Sequence, residues 1–223
     1  EWPPGFGGVE RVAHELGNCW SGSIFSLDVQ GQAFSFEDSL PVTYPRKRLR
    51  SFRVFGRLYL PLPCRELILL LTSSEPLHGH LPSPGVLFLL VLARLLRPRR
   101  IVTAHWHSFL SKKPGLTGFL FGLYQSISLR VLPYLSGVVT TSPALSCELQ
   151  QCGCSSAHLV VLPCCLSASQ EKAAMSVPFP SANDGEPLRV VFIGRLDSYK
   201  RLDWLLQSLA TMRQAWRLSV VGD

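Results

Sequence analysis

Apolar and polar residues recur along the chain in two rhythms, one helical with a period near 3.6 and one extended with a period of two. Val9, Val12, Ala13 and Leu16 fall on one face of a helix that opens after Gly5-Phe6-Gly7-Gly8. Ser23 to Val29 follows as a short strand, and residues 31–51 read as a loop passing into a basic stretch. Phe52 to Leu71 supports two readings: a helix broken at Pro61 and Pro63, or a helix followed by a buried strand Leu67–Leu71. Beyond this the rhythm is regular. It predicts strands at Leu77–His80, Arg100–His105, Gly137–Thr141 and His158–Leu162. Between them it predicts helices at Gly85–Leu96, Gly115–Leu135 and Pro143–Gln151, the last with proline in its first turn. Short strands alternating with helices predict right-handed crossovers and a parallel sheet covered on both faces, a doubly wound α/β domain.

Residues 167–187 break the pattern. They are polar, carry Pro178 and Pro180, and have the composition of a linker. The rhythm then restarts with a strand at Leu188–Ile193, a helix at Lys200–Met212 and a strand at Leu218–Val221. The expected organisation is a domain over 1–166, a linker over 167–187 and the start of a second domain over 188–223. The first domain is expected to lack its first strand, because the chain opens directly into a glycine turn. The second is expected to be cut short, because one strand–helix–strand unit is too little to bury two sheet faces.

Composition narrows the class. Of 223 residues, 47% are hydrophobic and 17% charged, which excludes disorder and provides for a core. No run of ~20 apolar residues is free of charge, so no spanning helix is expected. A net charge of +7 attracts polyanions, whether nucleic acid, anionic lipid or phosphorylated small molecules. The seven cysteines form no CxxC pair. Without metal-ligand spacing they read as reduced thiols of a cytosolic protein. Glu1-Trp2-Pro3-Pro4 lacks the basic and apolar regions of a secretory signal.

Four places carry candidate chemistry. In Val191-Phe-Ile-Gly-Arg-Leu-Asp-Ser-Tyr-Lys200 a buried strand ends at Gly194, and a turn presents Arg195 and Lys200 before a helix. Ligands of open α/β sheets sit at the carboxyl ends of strands, and two cations there can clamp a diphosphate. Gly7-Gly8, before the first helix, lets a backbone approach a ligand and offers N–H groups to phosphate. His78-Gly-His80 and His105-Trp-His107 are both HxH, and on extended strands each pair projects to one face. Such pairs can bind a divalent metal, with Glu75 and Asp223 as the available carboxylates. The alternative is a set of polar strand-end residues lining a cleft without metal. Ser142, at another strand end before Pro143, is explained equally well as a helix cap.

In order, the pieces are Gly-Gly-Val-Glu-Arg, Leu-His-Gly-His, Val-Thr-Ala-His-Trp-His-Ser, Val-Val-Thr-Thr-Ser-Pro, Val-Val-Leu-Pro and Phe-Ile-Gly-Arg-Leu-Asp-Ser-Tyr-Lys. This order resembles the retaining GT-B glycosyltransferases of group 1, or family 4. The resemblance implies a GT-B architecture, with a Rossmann-like parallel-sheet N-terminal domain and a second Rossmann-like domain. It implies transfer of a sugar from a nucleotide-sugar donor to a glycan or lipid-linked acceptor, with retention, in cell-surface polysaccharide or glycolipid synthesis. His107 would be the catalytic-cleft residue that contacts the sugar. Arg195, Lys200, Gly7 and Gly8 would bind the donor diphosphate, while Glu10, His80 and Ser142 would line the acceptor cleft. No metal and no cofactor beyond the nucleotide-sugar substrate is implied, since the cations stabilise the departing diphosphate.

Two departures from the family pattern stand out. Pro163-Cys164-Cys165 occupies a turn usually written Pro-Asn-Gly, and no E-x7-E element follows within the 223 residues. The chain by itself is therefore expected to be inactive or nearly so. Arg46, Lys47, Arg48, Arg50, Arg53 and Arg57 interleave with apolar residues over 46–59, a segment suited to peripheral contact with an anionic membrane or simply to solvation. The expected setting is cytoplasmic, at the inner face of the membrane, with no nucleic-acid partner. Two rival functions remain: a metal-dependent hydrolase built on His78/His80 and His105/His107, and a basic nucleic-acid-binding α/β protein.

Overall fold

The computed structural model describes residues 8–27, 43–55, 58–110, 114–164, 168–178, 186–194 and 196–222. They divide by their contacts into two compact units, Glu1–Ser167 and Ala168–Asp223.

The first unit is organised around a four-stranded parallel sheet, β5 (Leu77–Leu81), β6 (Val102–Trp106), β7 (Gly137–Thr140) and β8 (Leu159–Val161), in that spatial order. Parallel neighbours need a crossover. The crossovers here are α3 (Pro84–Leu96), α4 (Gly115–Val131) and α5 (Pro143–Gln151). Among the described residues the order of this sheet advances in one direction, with no reversal. Before the sheet come α1 (Gly8–Cys19), β1 (Ile24–Leu27), β2 (Arg46–Leu49), β3 (Ser51–Phe55), β4 (Leu58–Pro61) and α2 (Arg65–Thr72). β1 and β2 pair in parallel as a separate two-stranded sheet, and β3 and β4 form an antiparallel hairpin.

Here the structure corrects the sequence reading. The basic stretch is strand rather than loop or helix, and Leu67–Leu71 is helical rather than a strand. Short apolar runs are compatible with either state, and packing decided: Leu70 and Leu89 close a small core with Leu49 of β2. In α1 the deeply buried positions are His14 and Gly17, not the apolar stripe. A Cβ on Gly17 would strike the Tyr44 ring, so glycine lets that ring lie on the helix. The ring's hydroxyl meets His14 Nδ1 at 2.9 Å.

The main core lies between the sheet and its helices, with Leu81, Leu90, Ala93, Val102, Ala104, Trp106, Leu132 and Leu149 almost fully buried. Gly79 shows how α3 reaches the sheet. A Cβ there would come within 2.7 Å of Val86 and 2.9 Å of Leu90, so only glycine permits this approach. Arg100 is buried as well, anchored to the carbonyls of Glu75 and Leu70 at 2.6 Å each. α4, expected as a long apolar helix, leaves Leu116, Phe119, Leu120, Leu123 and Ile127 exposed along one face. No described helix is long and apolar enough to cross a membrane.

The second unit contains α6 (Ala168–Met175), β9 (Leu188–Ile193), α7 (Leu202–Ala210) and β10 (Trp216–Val221), with β9 and β10 paired in parallel. The stretch read as irregular linker thus carries a helix, α6, with no buried residue.

Candidate functional site

The carboxyl ends of β5 and β6 bring four histidines together. Register sets His78 opposite Thr103 and His80 opposite His105, while Leu81 faces Trp106. Strand alternation sends Gly79 to the face covered by α3 and His78 and His80 to the other. His107 follows β6 directly, its backbone N–H donating to the Leu81 carbonyl at 3.0 Å. The rings form one continuous layer. His105 stacks on His107 at 4.3 Å between centroids and on His80 at 5.3 Å, and His78 meets His80 edge-on at 5.3 Å. Trp20, just beyond α1, places its ring 5.9 Å from that of His78.

Hydrogen bonds tie the layer to its surroundings. His78 Nδ1 and Thr103 Oγ1 share a hydrogen bond of 2.8 Å, and Oγ1 also lies 3.4 Å from the Leu77 carbonyl. His80 Nδ1 and His107 Nε2 share a hydrogen bond of 2.9 Å. His105 is 1% exposed. Among the described residues, neither of its ring nitrogens, nor His78 Nε2, has a hydrogen-bond partner.

Burial disfavours the charged form throughout the layer. It lowers His78 and His107 to about 4 and His80 to about 2, with neighbouring imidazoles adding to the effect. His105 is lowered by burial alone. Near neutral pH all four are uncharged, able to donate and accept hydrogen bonds but not to act as imidazolium acids.

Other residues of interest are placed separately. Gly8 is the first residue of α1, exposed, with open space around its Cα; Gly7 lies outside the described residues. Glu10 is half-buried in the first turn of α1. Ser142 is the N-cap of α5, its hydroxyl accepting from the Leu145 N–H at 3.2 Å. Arg57, Cys165 and Asp223 also lie outside the described residues, and Glu75 is not among the groups that converge with the histidines.

In the second unit β9 is followed by Gly194, whose φ of +152° favours glycine. A Cβ there would lie 3.9 Å from Lys200 Cε. Lys200 closes a 3-10 turn, Ser198–Lys200, and its Nζ stands 5.2 Å from the Tyr199 ring centre. α7 begins at Leu202, after Arg201 in the left-handed conformation with its guanidinium 3.6 Å from the Trp204 ring centre. Lys200 is exposed, and Arg195 lies outside the described residues.

The two HxH pairs singled out in the sequence, His78/His80 and His105/His107, are thus brought into one layer, with His80 and His107 joined directly. The structure adds Thr103 to it. The period-two spacing of the histidines is visible in the sequence, but which of them are neighbours depends on strand register.

A parallel sheet with helical crossovers and chemistry at its strand ends defines a Rossmann-like α/β protein. The family model described as Glycosyltransferase Family 4 matches residues 6–170. The chain belongs to that family and is a group 1 glycosyltransferase, with a sugar donor and an acceptor as its general substrates. No curated protein matches the chain. The family assignment favours the transferase reading over the hydrolase and nucleic-acid alternatives, and the matched span contains the whole histidine layer.

Proposed function

We propose that the protein transfers a sugar from a nucleotide-sugar donor to a glycan or lipid-linked acceptor, with retention at the anomeric carbon, in cell-surface polysaccharide or glycolipid synthesis. The observation that carries this reading is His107, held at the carboxyl end of β6 by its backbone bond to Leu81 and its ring bond to His80, within the span matched by the family. As a neutral imidazole it serves the sugar as a hydrogen-bonding group rather than as a proton source. His80 positions it. Glu10 and Ser142 are proposed for the acceptor side, Ser142 through whatever hydrogen-bonding capacity its capping role leaves.

Lys200, with Arg195, is proposed to hold the donor diphosphate, and Gly7 and Gly8 to offer backbone N–H groups. Departure of the nucleoside diphosphate builds negative charge, and fixed cations stabilise it without reorganising water. On this reading no metal is needed at the transfer step. The GT-B pairing of two Rossmann-like domains belongs to the same proposal. The test is titration of the purified chain with nucleoside diphosphates. Lys200→Ala should weaken binding about tenfold, the worth of one charge-assisted hydrogen bond. Equal affinity of the wild type and the variant would remove the assignment.

The setting we propose is cytoplasmic, at the inner face of the membrane. Support comes from residues 46–59, where Phe52 and Val54 are 46% and 49% exposed beside the exposed Arg50 and Arg53. Each cation near an anionic surface contributes about 1 kcal/mol. Co-sedimentation with anionic vesicles should occur at low salt and fall as salt rises; its absence at low salt would end the membrane reading.

A further inference from the structure

The histidine layer holds more than glycosyl transfer uses. Three of its rings, those of His78, His80 and His105, bring one ligand atom each within 4.8 Å of one another. Among the described residues, both nitrogens of His105 are buried without a partner, as is His78 Nε2. Buried polar atoms ordinarily find partners, so unmatched imidazole nitrogens clustered this closely indicate something they are arranged to bind. We propose that His78, His80 and His105 form a binding site for a late first-row divalent metal ion, with Zn2+ as its representative.

The chemistry of the donors selects the ion. Imidazole suits Zn, Ni and Cu, whereas Mg, Ca and Mn prefer the oxygen ligands that this group lacks. Three nitrogens of a tetrahedral zinc site, each at about 2.0–2.1 Å from the metal, stand about 3.4 Å apart. The imidazoles must therefore draw inward by up to about 1.4 Å, a movement that their soft terminal torsions supply. Three protein ligands leave a fourth position open for water or another small donor.

Thr103 engages His78 through Nδ1 at 2.8 Å, so Nε2 is the ring nitrogen left for a metal. Ligation through His80 Nε2 would hold its proton on Nδ1, which then donates to His107 Nε2 across their 2.9 Å bond. Metal occupancy would thereby fix the tautomer of His107. The site shares His80 with the proposed transferase site, yet its evidence is geometric and its test reads metal uptake, so the two readings can fail separately.

The test uses the chelator-treated chain, titrated with Zn2+ against a competing chromophoric chelator at neutral pH. X-ray absorption of the loaded protein follows. The expected result is one equivalent of zinc in a nitrogen shell at about 2.0–2.1 Å with imidazole scattering. His78→Gln and His80→Gln, chosen because both residues are only partly buried, should each lower affinity more than about 100-fold. Loss of a supporting hydrogen bond costs less, so Thr103→Val should weaken binding about tenfold. His158→Gln, an exposed histidine elsewhere, and alkylation of the exposed thiols should leave affinity unchanged. Uptake below one equivalent, a sulfur shell at about 2.3 Å, or undiminished affinity in His80→Gln would each overturn the proposal.

Discussion

The end of β6 in the first unit and the end of β9 in the second occupy the same place in a strand–helix repeat, yet they carry opposite chemistry. At β6, His105 is 1% exposed and the neighbouring imidazoles are neutral. At β9, Lys200 is exposed and stands over Gly194 beside the Tyr199 ring. The difference is solvation. Removing a base from water favours its uncharged form, while a cation left in water keeps its charge and can meet an anion at little desolvation cost. Strand ends thus offer a position, and burial decides what chemistry that position performs.

Four measurements can break or sharpen this contrast, beginning with the largest effect. Trp106, next to His105 in β6, is fully buried in the core and packs edge-on against Phe109. Trp106→Ala should cost about 3–5 kcal/mol in chemical denaturation and disorder the layer. A loss below about 1 kcal/mol would mean the layer does not depend on its core.

Acid comes next. The folded-state values of His78 and His107, about 4, lie below the unfolded value of 6.5, so unfolding takes up protons between these limits. Stability is therefore full above pH 6.5 and falls as pH drops toward 4. Each such group contributes about 1.4 kcal/mol per pH unit in that window. Denaturation in the presence of chelator should show this slope, and the double substitution of His78 and His107 by Gln should reduce it, the remainder coming from His80 and His105. A stability unchanged from pH 7 to 5 would contradict the burial of these rings.

Ser142→Ala removes the cap of α5 and should cost about 1 kcal/mol. A larger effect on acceptor affinity than this stability loss explains would separate its proposed binding role from its cap. Smallest of all, Lys200→Ala should change stability by less than about 0.5 kcal/mol, since the side chain is exposed, while weakening nucleoside diphosphate binding. A large drop in melting temperature would place Lys200 in a structural role instead.

The strands β5 to β10 and the helices α3, α4, α5 and α7 were legible because each is long or periodic enough to declare its type, and glycine or proline marks most of their ends; α6, polar and without a buried face, was not. The region before β5 was not. In Arg46–Leu71, short apolar runs fit strand and helix alike, and pairing of β1 with β2 and of β3 with β4 resolved them. His14 and Tyr44, hydrogen-bonded across 30 residues, left no local signal. The HxH spacing showed that His78 could share a face with His80, and His105 with His107 if the second pair continued a strand.

What the sequence determined by itself is the alternation of elements, the α/β class and the residue types placed at the strand ends. Those follow from local periodicity and turn chemistry, which the chain carries wherever it folds. Tertiary structure alone decided that His80 lies opposite His105 and touches His107, and that these rings are partly or wholly buried while Lys200 is exposed. Register and burial arise from contacts between distant segments, and no stretch of sequence contains them.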